Sequence, residues 1–127
     1  ISECYNDWLK LCISINISTE KSIFWFSILR DLYMQSWRKY HSLNHIFTYT
    51  SLIENAYKNG KINDYVNIAL AVWFHDSIYV SSRGDNEDRS VDLFRKFYND
   101  VVTDKEMKIE KVDTSKVVII NKHDVVP

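Results

Sequence analysis

Two glycines and one proline in 127 residues constrain most strongly what this chain can fold into. They are Gly60, Gly84 and Pro127. Sheets with many tight turns need glycine where φ is positive and proline where φ is pre-set. A chain with so few of either reads as long helices joined by polar connections. It is 46% apolar and 14% aromatic, which supplies a core and argues against disorder. The expectation is one all-α domain over residues 1–127, a bundle of about six helices.

The charge excludes some partners. A net charge of −1 with no basic stripe leaves no expected nucleic-acid surface. No apolar run reaches the roughly 18 residues of a membrane span, and no signal-peptide pattern is visible. The chain starts at Ile1 rather than methionine, as a trimmed or partial chain would. Cys4 and Cys12 are two helical turns apart, too far to bridge within one helix. They read as reduced thiols facing a core, in a cytoplasmic protein.

Taken in order, Cys4, Trp8, Leu11, Cys12 and Ile15 recur at spacings of three and four, one face of a helix over residues 3–15. Asn16 to Thr19 is a break, with Ser18 or Thr19 as the next N-cap. A second helix over 20–34 aligns Trp25, Leu29 and Tyr33, and Gln35 to Tyr40 turns a corner. A third helix from His41 to Lys58 presents Leu43, Ile46, Phe47, Thr50, Ile53 and Tyr57 to the core. Asn59-Gly60 ends it, since both residues tolerate the left-handed conformation. Asn63 or Asp64 caps a fourth helix. Val80 to Asn86 is loop, and a fifth helix follows with Val91, Phe94, Tyr98 and Val101 in register. Asp113-Thr114-Ser115 opens a short sixth helix, although Val117 to Ile120 is β-branched enough to suit a strand.

The chemistry centres on Ala69-Leu-Ala-Val-Trp-Phe-His-Asp-Ser-Ile-Tyr79. A run this apolar is a helix buried on most sides. It ends by placing His75 beside Asp76, and an ionised carboxylate in such surroundings needs a partner. A divalent metal suits both ligand types. A His–Asp hydrogen bond inside a satisfied core is the plainer alternative. His41 and His45 lie one turn apart and so share a helix face, either as a chelating pair or as an ordinary polar face. With His75-Asp76 they could form a site in a bundle core. Arg38 offers a guanidinium fork for phosphate, or is a surface arginine. Asp85-Asn86-Glu87-Asp88 is a capped helix start with acids against the dipole, or a carboxylate acting on water at a metal. There is no P-loop, no GxGxxG, no CxxC pair and no nucleophile elbow. The aromatic residues Trp8, Trp25, Trp73 and Tyr33 read as core.

These motifs in this order resemble the HD-domain superfamily of metal-dependent phosphohydrolases, and within it a group of small predicted HD phosphohydrolases. The likeness rests on three blocks: Arg38-Lys39-Tyr40-His41-Ser42-Leu43-Asn44-His45-Ile46, then the helix ending Trp73-Phe74-His75-Asp76 with Tyr79 after it, then Asp85-Asn86-Glu87 with Ser90. It spans about Trp25 to His123, most of the chain.

The resemblance implies an HD-like helical bundle holding a divalent metal ion. His41, His75 and Asp76 match the family's ligands. His45 matches its second motif histidine, lining the substrate pocket. Glu87 matches the carboxylate that acts as general acid or base, and Arg38 would face the phosphate. The implied reaction is hydrolysis of a small phosphoester, a nucleotide among the candidates, by a metal-activated water. The family closes its metal site with a further aspartate on a late helix, beyond a histidine like His123. Here Asp124 follows His123 directly, Ile120 stands where the group carries threonine, and the sequence runs to Pro127. The expectation is therefore a domain without its closing helix. The alternative function is an inactive HD scaffold binding a nucleotide or a protein partner. A two-iron HD oxygenase needs more ligands than these motifs supply.

Overall fold

The structure, a computed structural model, describes residues 2–35, 42–80, 84–102 and 112–122. Among them the chain is all-helical: α1 (Ser2–Ser14), α2 (Thr19–Tyr33), α3 (Leu43–Lys58), α4 (Tyr65–His75), α5 (Asn86–Val102) and α6 (Thr114–Lys122). The start expected for the third helix, His41, lies outside the described residues.

The helix ends follow from side-chain and backbone chemistry. The Ser18 hydroxyl accepts the Lys21 N–H at 3.2 Å, and an Asp64 carboxylate oxygen accepts the Asn67 N–H at 3.1 Å. Asp113 does the same for Lys116 at 3.2 Å. Each satisfies an N–H that has no partner within its helix. α1 ends on Asn16 at φ 58°, with Ile17 N–H donating to the Cys12 carbonyl at 3.0 Å. α3 ends alike on Gly60 at φ 71°, with Lys61 N–H donating to the Ala56 carbonyl at 2.8 Å. Asparagine and glycine are the residues that adopt this left-handed cap at least cost.

α4 is the central helix. It packs against α1, α3, α5 and α6, which is why its sequence has no polar face. Every residue from Ala69 to His75 is buried. An aromatic cluster fills the space around it. The Trp8 ring lies 5.2 Å from Trp73 and 5.6 Å from Phe97, and Trp25 stands edge-on to Phe97 at 5.4 Å. Trp8 also donates its indole N–H to the Ser22 carbonyl at 2.9 Å, so its polar atom is satisfied inside the core. The face of α1 expected from spacing is the buried one: Cys4, Trp8, Leu11, Cys12 and Ile15.

Three core positions differ from expectation: Phe47 on α3, which is only partly buried, and two tyrosines. Tyr57 is half exposed in the last turn of α3, its ring 5.9 Å from that of Tyr65. On α5, Phe97 takes the fully buried place expected of Tyr98, which is only partly buried. Both tyrosines keep a polar tip near water, which a phenylalanine does not need.

α6 docks on the start of α4. Val117 is buried, the Asn67 side-chain carbonyl accepts the Asp113 N–H at 2.8 Å, and the Lys116 ammonium pairs with Asp64. The Val117–Ile120 segment is thus helix despite its β-branching, because the Asp113 cap and the α4 contact outweigh a weak propensity. Among the described residues, no helix is long and apolar enough to cross a membrane.

Candidate functional site

The site is built on the end of α4. The last carbonyls of a helix lack partners within it, and here side chains supply them. The Tyr33 hydroxyl donates to the Trp73 carbonyl at 2.8 Å. The Ser77 hydroxyl donates to the Phe74 carbonyl at 2.9 Å, and Ser77 N–H reaches the same oxygen at 3.1 Å. The Val72 carbonyl receives His75 Nδ1 at 2.6 Å.

That last contact fixes the imidazole. A carbonyl oxygen only accepts, so Nδ1 carries the hydrogen. In a neutral ring Nε2 is then the acceptor nitrogen. Nε2 faces Asp76 Oδ2 at 3.1 Å, and the histidine side chain is 4% exposed against 23% for the aspartate. A lone pair and a carboxylate oxygen at that distance need positive charge between or beside them. A proton shared by the two atoms supplies it, and a divalent metal held by both is another source. Asp76 also occupies the C-cap of α4, where the helix dipole is negative and favours positive charge.

The residues expected around this pair divide into three sets. His45 stands in the first turn of α3, partly buried, with its ring 4.2 Å from that of Tyr49. Tyr49 in turn lies 6.4 Å from the His75 ring, so His45, Tyr49 and His75 form one row across α3 and α4. Glu87 is exposed in the first turn of α5. Arg38 and His41 lie outside the described residues. Among the described residues, no three histidine, cysteine, aspartate or glutamate side chains gather as a metal site.

The third motif holds the loop beside the site. The Asn86 amide donates to the Val80 carbonyl at 2.9 Å and accepts the Val80 N–H at 3.1 Å. One turn further along α5, the buried Ser90 hydroxyl accepts the Ile78 N–H at 3.0 Å and donates to the Ile78 carbonyl at 3.2 Å. Two side chains thus fix the backbone just after His75-Asp76. Sequence reasoning gave Ser90 no signal of its own; its spacing of four from Asn86 was the available clue. Tyr49 was missed as well, and its spacing of four from His45 was the corresponding clue.

No protein-family model, curated protein or solved structure matches this chain. The functional reading therefore rests on the site and on the motif resemblance.

Proposed function

We propose that this chain is an HD-like phosphohydrolase dependent on a divalent metal, acting on a small phosphoester. The observation that carries the reading is the His75–Asp76 pair. Histidines that bind metal through one nitrogen usually donate the other N–H to a carbonyl or carboxylate, which sets the tautomer and orients the ring. His75 has that arrangement, with Nδ1 on the Val72 carbonyl and Nε2 beside a carboxylate oxygen. Nitrogen and carboxylate donors together fit a divalent ion of the zinc, manganese or iron type.

In this reading His75 and Asp76 hold the ion together with His41. A divalent ion supplies, when bound, a water acidic enough to attack phosphorus near neutral pH. Arg38 binds the phosphate oxygens and offsets charge that builds on them. Glu87 orients the attacking water or carries its proton. His45 lines the pocket. Asn86 and Ser90 keep the loop after Asp76 in place, so the pair need not reorganise during the reaction.

The test measures metal by plasma mass spectrometry and phosphoester hydrolysis with and without chelator, in the parent, His75→Ala and Asp76→Ala. Bound divalent metal and chelator-sensitive turnover, both lost in the two variants, are expected. Metal content unchanged in both variants overturns the proposal.

A further inference from the structure

We infer that a groove beside the site takes an aliphatic chain, so that the ligand is a phosphoester with an apolar tail. For the identity of the headgroup this rests on the reading above. The groove has a volume of about 370 Å³, within the roughly 300–1,000 Å³ common for small-molecule sites. It is lined by Tyr49, Ile53 and Ala56 of α3, Ile62 of the α3–α4 connection, Ile68 of α4 and Ile120 of α6. Leu52 forms part of the lining and is 56% exposed.

Three observations connect this groove to the His75–Asp76 pair. Tyr49 belongs to both, lining the groove while its ring lies 6.4 Å from His75. Ile68 is seven residues before His75, so both lie on one face of α4, about 10 Å apart along the axis. On α3, His45, Tyr49, Leu52 and Ala56 follow one another at spacings of four, three and four, again a single face. The two faces meet, polar at the His45–His75 end and apolar beyond Tyr49.

The lining chooses the ligand class. Among the described residues that line it, Tyr49 brings its polar group and the other side chains are aliphatic. A nucleobase set among isoleucines, leucine and alanine would bury ring nitrogens and carbonyls without partners, at a cost of about 1–3 kcal/mol for each such group. An alkyl chain leaves no polar group without a partner there and gains from leaving water. The headgroup stays at the histidine end, and the chain runs along α4 toward Ile68.

The experiment measures binding and hydrolysis of methyl, butyl and octyl phosphate by the parent protein, Ala56→Phe and Leu52→Glu, with the matching alkanols as probes lacking the headgroup. Ala56→Phe fills the groove. Leu52→Glu charges its rim at an exposed position, so it keeps the test intact if the larger side chain perturbs folding. Metal content is followed throughout. Binding in the parent should tighten by up to about fourfold per methylene, equivalent to about 0.8 kcal/mol. Both variants should flatten that dependence while keeping parent metal content. Affinity independent of chain length, or the same dependence in both variants, overturns the inference. Alkanols that gain affinity with length as steeply as the phosphates, with no added affinity from the phosphate, uphold the groove and count against the phosphohydrolase reading.

Discussion

The Ser90 hydroxyl binds both backbone groups of Ile78, accepting its N–H at 3.0 Å and donating to its carbonyl at 3.2 Å. The two residues are twelve apart in sequence, and this contact ties α5 to the loop that leaves α4. Ser90 is fully buried, so Ser90→Ala removes both the acceptor of the Ile78 N–H and the donor to its carbonyl. The expected cost is about 1–3 kcal/mol, read from the denaturation midpoint. Amide exchange at Ile78 and Val80 should quicken more than exchange in α1. Exchange that quickens equally everywhere would show that the hydroxyl contributes only to global stability.

Much of the fold was legible in the sequence, for identifiable reasons. The α1 face, a cap at Asn63 or Asp64, a helix start at Asp113-Thr114-Ser115 and the Asn59-Gly60 stop all rest on local rules; the structure puts the caps on Asp64 and Asp113. The depth of α4 was legible because a helix with no polar residue between Ile68 and Phe74 has nowhere else to go. The choice between Phe97 and Tyr98 was not, because both fit the apolar spacing and tertiary contacts decide which ring faces inward. The His75–Asp76 pair was legible as chemistry but not as geometry. That Nδ1 turns back onto Val72 depends on χ angles, which no sequence pattern encodes. Ser90 and Tyr49 act through contacts that cross between elements; spacing alone put them on the right helix face without saying what they would touch.

The two cysteines are expected to be inert in the native state. Both are free and buried. Burial pushes the Cys12 thiol up to about 12, and the Cys4 thiol is raised by the same cause. The thiolate is the reactive form, so at mildly alkaline pH almost none is available at Cys12. A colorimetric disulfide reagent should label Cys12 at the rate of global unfolding, and both thiols at once in denaturant. Prompt labelling of Cys12 in buffer would contradict its position in the core.

Asp7 and Asp64 give stability opposite dependences on pH. Burial raises Asp7, a shift opposed by the hydrogen bond from Thr50 and reinforced by the Glu54 charge. A raised carboxyl pKa means that the folded state binds the proton more tightly. The associated stability is full below the unfolded value, about 3.9, and is lost as pH rises through the folded one. Asp7→Asn removes the charge while keeping an oxygen for Thr50. It should stabilise the domain at neutral pH, and the gain should vanish as the medium becomes acid enough to protonate Asp7.

At Asp64, burial raises the pKa, but hydrogen bonds from Lys116 and Asn67 outweigh it and hold the carboxyl below its ordinary range. Its contribution is full above the unfolded value and is lost as pH falls through the lower folded one. Lys116→Met should therefore flatten the acid limb of a stability–pH curve, while Asp64→Ala also removes the N-cap of α4, at about 1 kcal/mol. The Lys116 side chain is 45% exposed, so solvent screens the pair and the Lys116 effect should be the smaller. Urea midpoints across the acid range measure both, and identical acid limbs in parent and Lys116→Met would show that the ion pair contributes nothing.

What holds His75 against Asp76 can be read directly from the imidazole nitrogens. With Nδ1 held on the Val72 carbonyl, its hydrogen should be present in the folded domain, so the question is what Nε2 carries. Two-bond nitrogen–proton NMR on metal-stripped protein distinguishes the cases. If the pair is a simple ion pair, Nε2 carries a proton, and Asp76→Asn removes the carboxylate that it faces. If the pair is a ligand set, added divalent metal shifts Nε2, leaves Nδ1–H unchanged and displaces any Nε2 proton, because only the deprotonated nitrogen coordinates. The proposed function requires the second outcome. It also requires Asp76→Asn to weaken metal binding at least tenfold, since the substitution replaces a charged oxygen donor with a neutral one. An Nε2 resonance that stays protonated through a metal titration would assign the pair to the stability of the α4 terminus and leave the phosphohydrolase reading without its site.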